Sequence, residues 1–165
     1  MRRNPYANNQ KSRLIDGFGG MTQGLFATLI IGTMIQQIGL LIGGSTGNVI
    51  YLLGKAAAAL TSAGIGVGVA VKYGESPLVT VSAAVAAMVG GYAGKITGGT
   101  FFVDGNAVLA GPGEPLGAFI AAFAGITCGH LVSGKTKVDI IVTPVITIGA
   151  GSVVGLLVGP PISQM

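Results

Sequence analysis

The chain has 165 residues, of which Asp, Glu, Lys and Arg make up 8% and hydrophobic residues 50%. Because soluble domains usually carry about 25% charged residues, this composition excludes an ordinary water-facing surface and indicates a protein embedded in lipid. The formal net charge is +4. The basic residues are scattered at segment ends rather than gathered on one face, which argues against a nucleic-acid partner.

Five apolar stretches are each long enough to cross a bilayer. A helix rising ~1.5 Å per residue needs about 20 residues to cross ~30 Å of hydrocarbon. The stretches cover residues 21–43, 48–71, 77–94, 115–133 and 138–162. The sequence therefore predicts an all-α polytopic membrane protein, with a basic N-terminal arm over residues 1–20 and a transmembrane domain over residues 21–165.

The basic residues alternate between the ends of these stretches. Those on the predicted cytoplasmic side are Arg2, Arg3, Lys11, Arg13, Lys72, Lys135 and Lys137. The long connection between the third and fourth stretches has only Lys95 at its edge. By the positive-inside rule, we expect a cytoplasmic N-terminus and a C-terminus on the far side.

Glycine accounts for 30 of the 165 residues. Many glycines are spaced four apart, which places two on one helix face and lets helix backbones approach closely. These small-xxx-small sets are Gly39 and Gly43, Gly64 and Gly68, Gly90 and Gly94, Gly125 and Gly129, and Gly151, Gly155 and Gly159. We expect the sets as a whole to mark helix contacts.

Residues Gly129 to Thr136 match the GxxxxGK[ST] phosphate loop letter for letter. A true phosphate loop follows a buried strand and opens a helix whose N-terminus holds the phosphates. Here the preceding stretch has helix length and is rich in Ala and Gly. The context favours a cytoplasmic turn, and a soluble nucleotide-binding protein stays the alternative.

Cys128 is the only cysteine. An intrachain disulfide, a CxxC redox pair and a Cys-based zinc site are therefore impossible. Its apolar neighbours do not provide the electropositive setting that a reactive thiolate needs. We predict no catalytic residue, metal ligand or cofactor in this chain.

A glutamate beside a Gly-rich connection is the most informative polar group. Residues 98–113 are too apolar for an ordinary exposed loop, so we expect a re-entrant or half-helical element that is buried in protein or lines a wet cavity. The Glu114 carboxylate can accept hydrogen bonds from sugar hydroxyls, or it can be an acid at an external helix N-terminus. The solute-binding candidates here are Gly113, Glu114, Pro115, Asp104 and Asn106.

Three further polar residues lie within or at the ends of apolar stretches: Gln37, His130 and Asp139. Polar residues at membrane depth are functional candidates, although hydrogen bonds between helices explain many of them. Asp139 is also expected to pair locally with Lys135 or Lys137.

Four motifs resemble the membrane, or IIC, component of bacterial sugar phosphotransferase systems, and in particular its divergent PfoR-type branch. They are residues 17–33, 64–70, 111–117 and 133–144. The resemblance implies a sugar site in the membrane, where the glutamate of a Gly-x-x-Glu-Pro element contacts sugar hydroxyls. Glu114 is the matching position.

The resemblance also implies a function and partners. We expect a permease in the bacterial cytoplasmic membrane that translocates a sugar-like solute by alternating access. A separate cytoplasmic phosphocarrier domain would donate phosphate, so the chain is not expected to be an enzyme by itself. The chain resembles an N-terminal half, so its partner would be a second inverted half or another copy. The alternative is a non-transporting membrane regulator or structural oligomer.

Overall fold

The structure is a computed structural model that describes residues 5–135 and 137–163. Within these residues the chain is almost entirely helical, which confirms the all-α membrane fold. The helices are α1 (Pro5–Leu25), α2 (Ile31–Ile42), α3 (Gly44–Ala59), α4 (Thr61–Lys72), α5 (Pro77–Gly91), α6 (Ala93–Thr97), α7 (Pro115–Val132) and α8 (Asp139–Ser163). A π-helical segment, Phe26–Ile30, joins α1 to α2, and strands β1 (Phe102–Val103) and β2 (Asn106–Ala107) form a hairpin.

Among residues 5–135 and 137–163, three helical segments are long and apolar enough to cross a membrane. They are Ser12–Ile42 with 31 residues, Pro115–Val132 with 18 and Asp139–Ile162 with 24. The pair α3 and α4 would make a fourth as one span bent by 52°. Helix α5 has only 15 residues, about 22 Å at 1.5 Å per residue, so the third of the five predicted spans is shorter than expected.

The predicted basic arm and the first predicted span belong to one continuous helical segment. Helix α1 begins at Pro5 and continues through the π-helical segment into α2, and the predicted boundary at residue 21 lies inside α1. Proline suits the first helical position because its missing N–H would have no intrahelical partner there. Arg2 and Arg3 lie outside the described residues.

Glycines allow the backbone of α1 to contact the backbone of α4 directly. A Cβ atom on Gly68 would lie 2.2 Å from the carbonyl oxygen of Gly20, and one on Gly24 would lie 2.3 Å from that of Gly64. The predicted pair Gly64 and Gly68 is therefore at a helix contact. Gly43 is not, because it occupies the turn between α2 and α3 with nothing within 4 Å of a Cβ atom.

Small residues also form the contacts among α5, α7 and α8. A Cβ atom on Gly125 would lie 2.6 Å from the carbonyl oxygen of Thr147, and one on Gly155 would lie 2.8 Å from the Cα of Gly90. The buried core between α4, α5 and α7 consists largely of alanine and β-branched side chains. Its members include Ile65, Val69, Ala83, Ala87, Ala118, Ala122 and Ile126.

Large apolar side chains cover much of the outer surface. Leu41 is 87% exposed, Ile140 74% and Leu157 72%. Soluble proteins rarely expose contiguous apolar surface on this scale. These side chains are therefore positioned to contact lipid or another membrane-embedded protein.

Candidate functional site

Glu114 lies directly before α7 and its backbone is anchored to α5. Its N–H donates a hydrogen bond of 2.7 Å to the carbonyl oxygen of Gly91, and Pro115 occupies the first turn of α7. The preceding Gly113 has a φ of 75°, a conformation that residues with a Cβ atom rarely adopt. The Gly-x-x-Glu-Pro element therefore turns directly into α7 and packs against the end of α5.

The break between α3 and α4 contacts this element. The Tyr92 hydroxyl lies within hydrogen-bond distance of two carbonyl oxygens, that of Ala59, at 3.1 Å, and that of Gly111, and its single proton is shared between them. The Ser62 hydroxyl donates a bond of 3.0 Å to the carbonyl oxygen of Pro112. Backbone carbonyl groups that lack an intrahelical hydrogen bond need another donor where water is scarce. Side chains from α4 and the α5–α6 junction thereby hold the segment before Glu114 in place.

A cavity of about 350 Å³ opens beside Glu114. This volume is at the lower end of the ~300–1,000 Å³ range of small-molecule sites. Its lining residues are Gly91, Gly94, Lys95, Ala110, Pro112, Gly113 and Glu114. Glu114 is half-buried and its carboxylate does not cap α7. Within the described residues no hydrogen bond or ion pair occupies that carboxylate, so its oxygens are available to accept hydrogen bonds from a ligand.

Lys95 is a cavity residue that the sequence analysis did not select as a candidate. Its ammonium group donates a hydrogen bond to the carbonyl oxygen of Ala110 and lies 5.3 Å from the ring centre of Tyr92. The sequence did hold a signal, because Lys95 is a basic residue at the edge of a connection that the positive-inside rule places outside.

Asp104 and Asn106 lie on the exposed hairpin rather than in the cavity wall. Val103 pairs with Asn106, and Asp104 occupies the turn with a φ of 51°. An Asp-Gly turn between short strands is a strong hairpin signal. Residues 98–113 therefore form turns and a hairpin. Of the re-entrant or half-helical element that we expected, the half-helix is wrong and a re-entrant path stays a prediction.

Gln37 is exposed on α2, a helix that packs against α3. It does not line the cavity. The structure thus brings Gly113 and Glu114 together at the cavity, with Pro115 next to them, and leaves Gln37 apart.

His130 lies at the opposite end of α7 from Glu114. The two residues are sixteen positions apart, about 24 Å along a helix, so they cannot contact one small solute together. His130 Nδ1 lies 3.0 Å from a carboxylate oxygen of Glu75. The Ser76 and Ser133 hydroxyls meet at 3.3 Å beside this pair. Glu75 was not predicted as a site residue, because it is a single acidic residue in the short connection between α4 and α5.

Asp139 begins α8 and its carboxylate is used locally. One oxygen accepts hydrogen bonds from the Gly134 N–H, at 2.9 Å, and from the Thr143 hydroxyl, at 2.6 Å. The expected ion pair with Lys135 or Lys137 does not form among the described residues. The carboxylate instead accepts from the turn after α7, through Gly134, and from its own helix, through Thr143. It also lies at the N-terminus of α8, where negative charge is favourable.

The phosphate-loop match does not have the conformation that nucleotide binding needs. Residues Gly129 to Val132 belong to α7, and a Cβ atom on Gly129 would lie 2.1 Å from the Thr147 hydroxyl oxygen. Thr136, the last residue of the motif, lies outside the described residues. Because the motif begins inside a packed helix rather than after a strand, the structure contradicts the nucleotide-binding alternative.

Residues 15–165 match the family described as Phosphotransferase system, EIIC. This range covers most of the chain, and the chain belongs to that family. The family assignment confirms the resemblance to the IIC component, whereas the PfoR-type branch stays a prediction. It makes the protein a membrane component of phosphotransferase-type sugar transport. No curated protein and no solved structure matches the chain.

Proposed function

We propose that the chain binds a sugar-like solute in the cavity beside Glu114 and carries it across the bacterial cytoplasmic membrane by alternating access. The observation that carries this proposal is the half-buried Glu114 on the wall of a cavity, with a carboxylate that has no partner in the part of the chain that the structure describes. A carboxylate accepts hydrogen bonds from hydroxyl groups, and such charge-assisted bonds are stronger than neutral ones.

The broken helix beside the cavity supports a transport role. Many transporters form their solute sites from discontinuous helices, because irregular backbone can line a cavity in the membrane. Here the break between Ala59 and Thr61 contacts the segment that carries Glu114 through Tyr92 and Ser62. A movement of either half of the bent pair would therefore alter the cavity.

The distribution of basic residues supports a cytoplasmic N-terminus. The Arg13 guanidinium lies 5.7 Å from the ring centre of Tyr73, which directly follows Lys72. Ser76 contacts Ser133, two residues before Lys135. Basic residues from three separate parts of the chain thus converge at one end, opposite Glu114. We expect a tag at the N-terminus to be reachable only from the cytoplasm and one at the C-terminus only from outside.

Partners follow from the same reasoning. The large exposed apolar surface suits contact with lipid, and we expect a second copy or an inverted second half to pack against part of it through close van der Waals contact. We expect phosphoryl transfer to depend on a separate cytoplasmic phosphocarrier domain, while this chain supplies solute binding and passage.

The test is solute binding and uptake in lipid with two matched variants. Glu114→Gln removes the charge and keeps the shape, and we expect it to weaken sugar binding by about tenfold or more. Asp104→Asn makes the same chemical change on the exposed hairpin, where Asn also tolerates a positive φ, and should leave binding unchanged. Unchanged affinity of Glu114→Gln across a panel of hexoses would remove the proposed role. A defined oligomer without any uptake would favour the regulator instead.

A further inference from the structure

The Glu114 cavity contains a second charged group, and it has the opposite sign. Lys95 lines the same cavity as Glu114. No ion pair joins the two among the described residues. Two unpaired, opposite charges on one cavity wall suit a ligand that presents different chemistry to each of them.

The present contacts of the Lys95 ammonium group are neutral. It donates to the carbonyl oxygen of Ala110 and lies near the face of the Tyr92 ring. An ammonium group has three donors, so this carbonyl uses one and leaves two for a ligand. Tyr92 itself is 1% exposed and its hydroxyl is bound to backbone carbonyls, which fixes the ring beside the lysine.

The positive-inside rule does not explain the position of Lys95. The positive-inside rule explains basic residues on the cytoplasmic side, whereas Lys95 lies at the end of α5 and α6 that is opposite Lys72. A charge near membrane depth is costly and commonly marks a solute pathway. The cost is offset when a ligand brings a negative charge.

We propose that Lys95 binds the carboxylate of the transported solute, and hence that the solute is an acidic sugar. This inference rests on the proposed function, because it concerns the same cavity. Glu114 would repel the carboxylate of such a solute and accept hydrogen bonds from its hydroxyls. The two charges would therefore select the class of solute and also fix its orientation.

The experiment compares three pyranoses of similar size and different charge. Binding of glucuronate, glucose and glucosamine is measured by calorimetry on the chain in phosphatidylcholine nanodiscs, and galacturonate with galactose repeats the comparison. We expect each uronate to bind about tenfold or more tightly than its neutral parent, as a charge-assisted hydrogen bond would give. Glucosamine carries the opposite charge, so any advantage that it gains should depend on Glu114 and not on Lys95.

Variants locate the effect at one side chain. Lys95→Met keeps most of the stem, removes the charge and should abolish the preference for uronates, whereas Lys95→Arg should retain it. Lys55→Met is the matched control, because Lys55 is exposed on α3 and lines a different cavity. It should leave the preference unchanged.

Three outcomes overturn the inference. If neutral sugars bind through Glu114 and uronates are not preferred, the proposed function stands and the role of Lys95 falls. Lys95 would be a lipid contact if two results occur together. Phosphatidylglycerol in the nanodiscs would compete with uronates only while Lys95 is present, and no preference for uronates would be measured in phosphatidylcholine. Failure of every sugar to bind would remove both proposals.

Discussion

The Ser62 hydroxyl, on α4, donates a hydrogen bond of 3.0 Å to the carbonyl oxygen of Pro112. The two residues are fifty positions apart in the chain. Cβ atoms placed on Gly91 and on Gly113 would lie 2.1 Å and 2.5 Å from the Ser62 hydroxyl oxygen. Ser62 is therefore enclosed between the end of α5 and the segment before α7, and it connects the bent helix pair to the cavity.

We expect Ser62→Ala to weaken solute binding more than it destabilises the fold. The variant leaves the Pro112 carbonyl without its donor, and a hydrogen bond of this kind contributes about 1 kcal/mol. Ser82→Ala is the control, because Ser82 is also buried and donates to Leu78 within its own helix. Calorimetric affinity and thermal unfolding of both variants provide the measurement. Equal effects on affinity would mean that Ser62 does not position the site.

Substitution of two nearby glycines in α8 should have opposite effects. A Cβ atom on Gly151 would lie 2.6 Å from both the Ala121 carbonyl oxygen and the Ala86 Cβ, whereas one on Gly149 meets nothing within 4 Å. Gly151→Ala should destabilise the protein by roughly 1–3 kcal/mol through overpacking. Gly149→Ala should be neutral or slightly stabilising, because alanine restricts the unfolded chain. Unfolding in detergent with increasing denaturant measures both, and equal stability of the two variants would contradict the packing described for α7 and α8.

Removal of His130 should cost more stability than removal of its partner. The Glu75 side chain is 4% exposed and that of His130 is 62% exposed. His130→Ala therefore leaves a buried carboxylate without its partner, which is strongly unfavourable. Glu75→Gln leaves a histidine that water can solvate. In a double-mutant cycle, adding Glu75→Gln to His130→Ala should restore part of the lost stability, and a further loss would contradict this account.

Ionisation of the Tyr73 hydroxyl should lower the stability of the folded protein at alkaline pH. Burial raises the pKa of its hydroxyl above the ordinary value of 10.0, and nearby Arg13 opposes the shift while Asp16 adds to it. Because the folded protein favours the neutral phenol, this contribution is complete below pH 10 and is lost as the pH rises through the raised pKa. The hydroxyl also donates a hydrogen bond of 2.7 Å to the Arg13 carbonyl oxygen.

The measurement for Tyr73 is thermal unfolding between pH 8 and pH 11 on the wild type and Tyr73→Phe. The variant should be less stable at pH 8, because it lacks the hydrogen bond, and should decline less as the pH rises. Parallel curves for the two proteins would show that Tyr73 does not contribute to the alkaline loss.

The sequence by itself determined that this is a helical membrane protein of the phosphotransferase EIIC family. The length and low charge of the apolar stretches decide the membrane fold, because any backbone that crosses lipid must pair its own hydrogen bonds. It also identified Glu114, since the Gly-x-x-Glu-Pro element is local in the chain. The glycine spacing of Gly64 and Gly68 predicted a close helix contact without identifying Gly20 and Gly24 as the partners.

Only the tertiary structure decided which polar groups lie together. Lys95 and Glu114 share a cavity because α6 and the hairpin return the chain to α7, and no spacing in the sequence reveals that return. His130 and Glu75 pair across fifty-five positions, at the end of α7 away from the cavity. The break at Leu60 also depends on contacts, since Ala59 and Ser62 bond to Tyr92 and Pro112 respectively. Local sequence sets the length and polarity of each helix, whereas packing of distant segments decides the composition of a site.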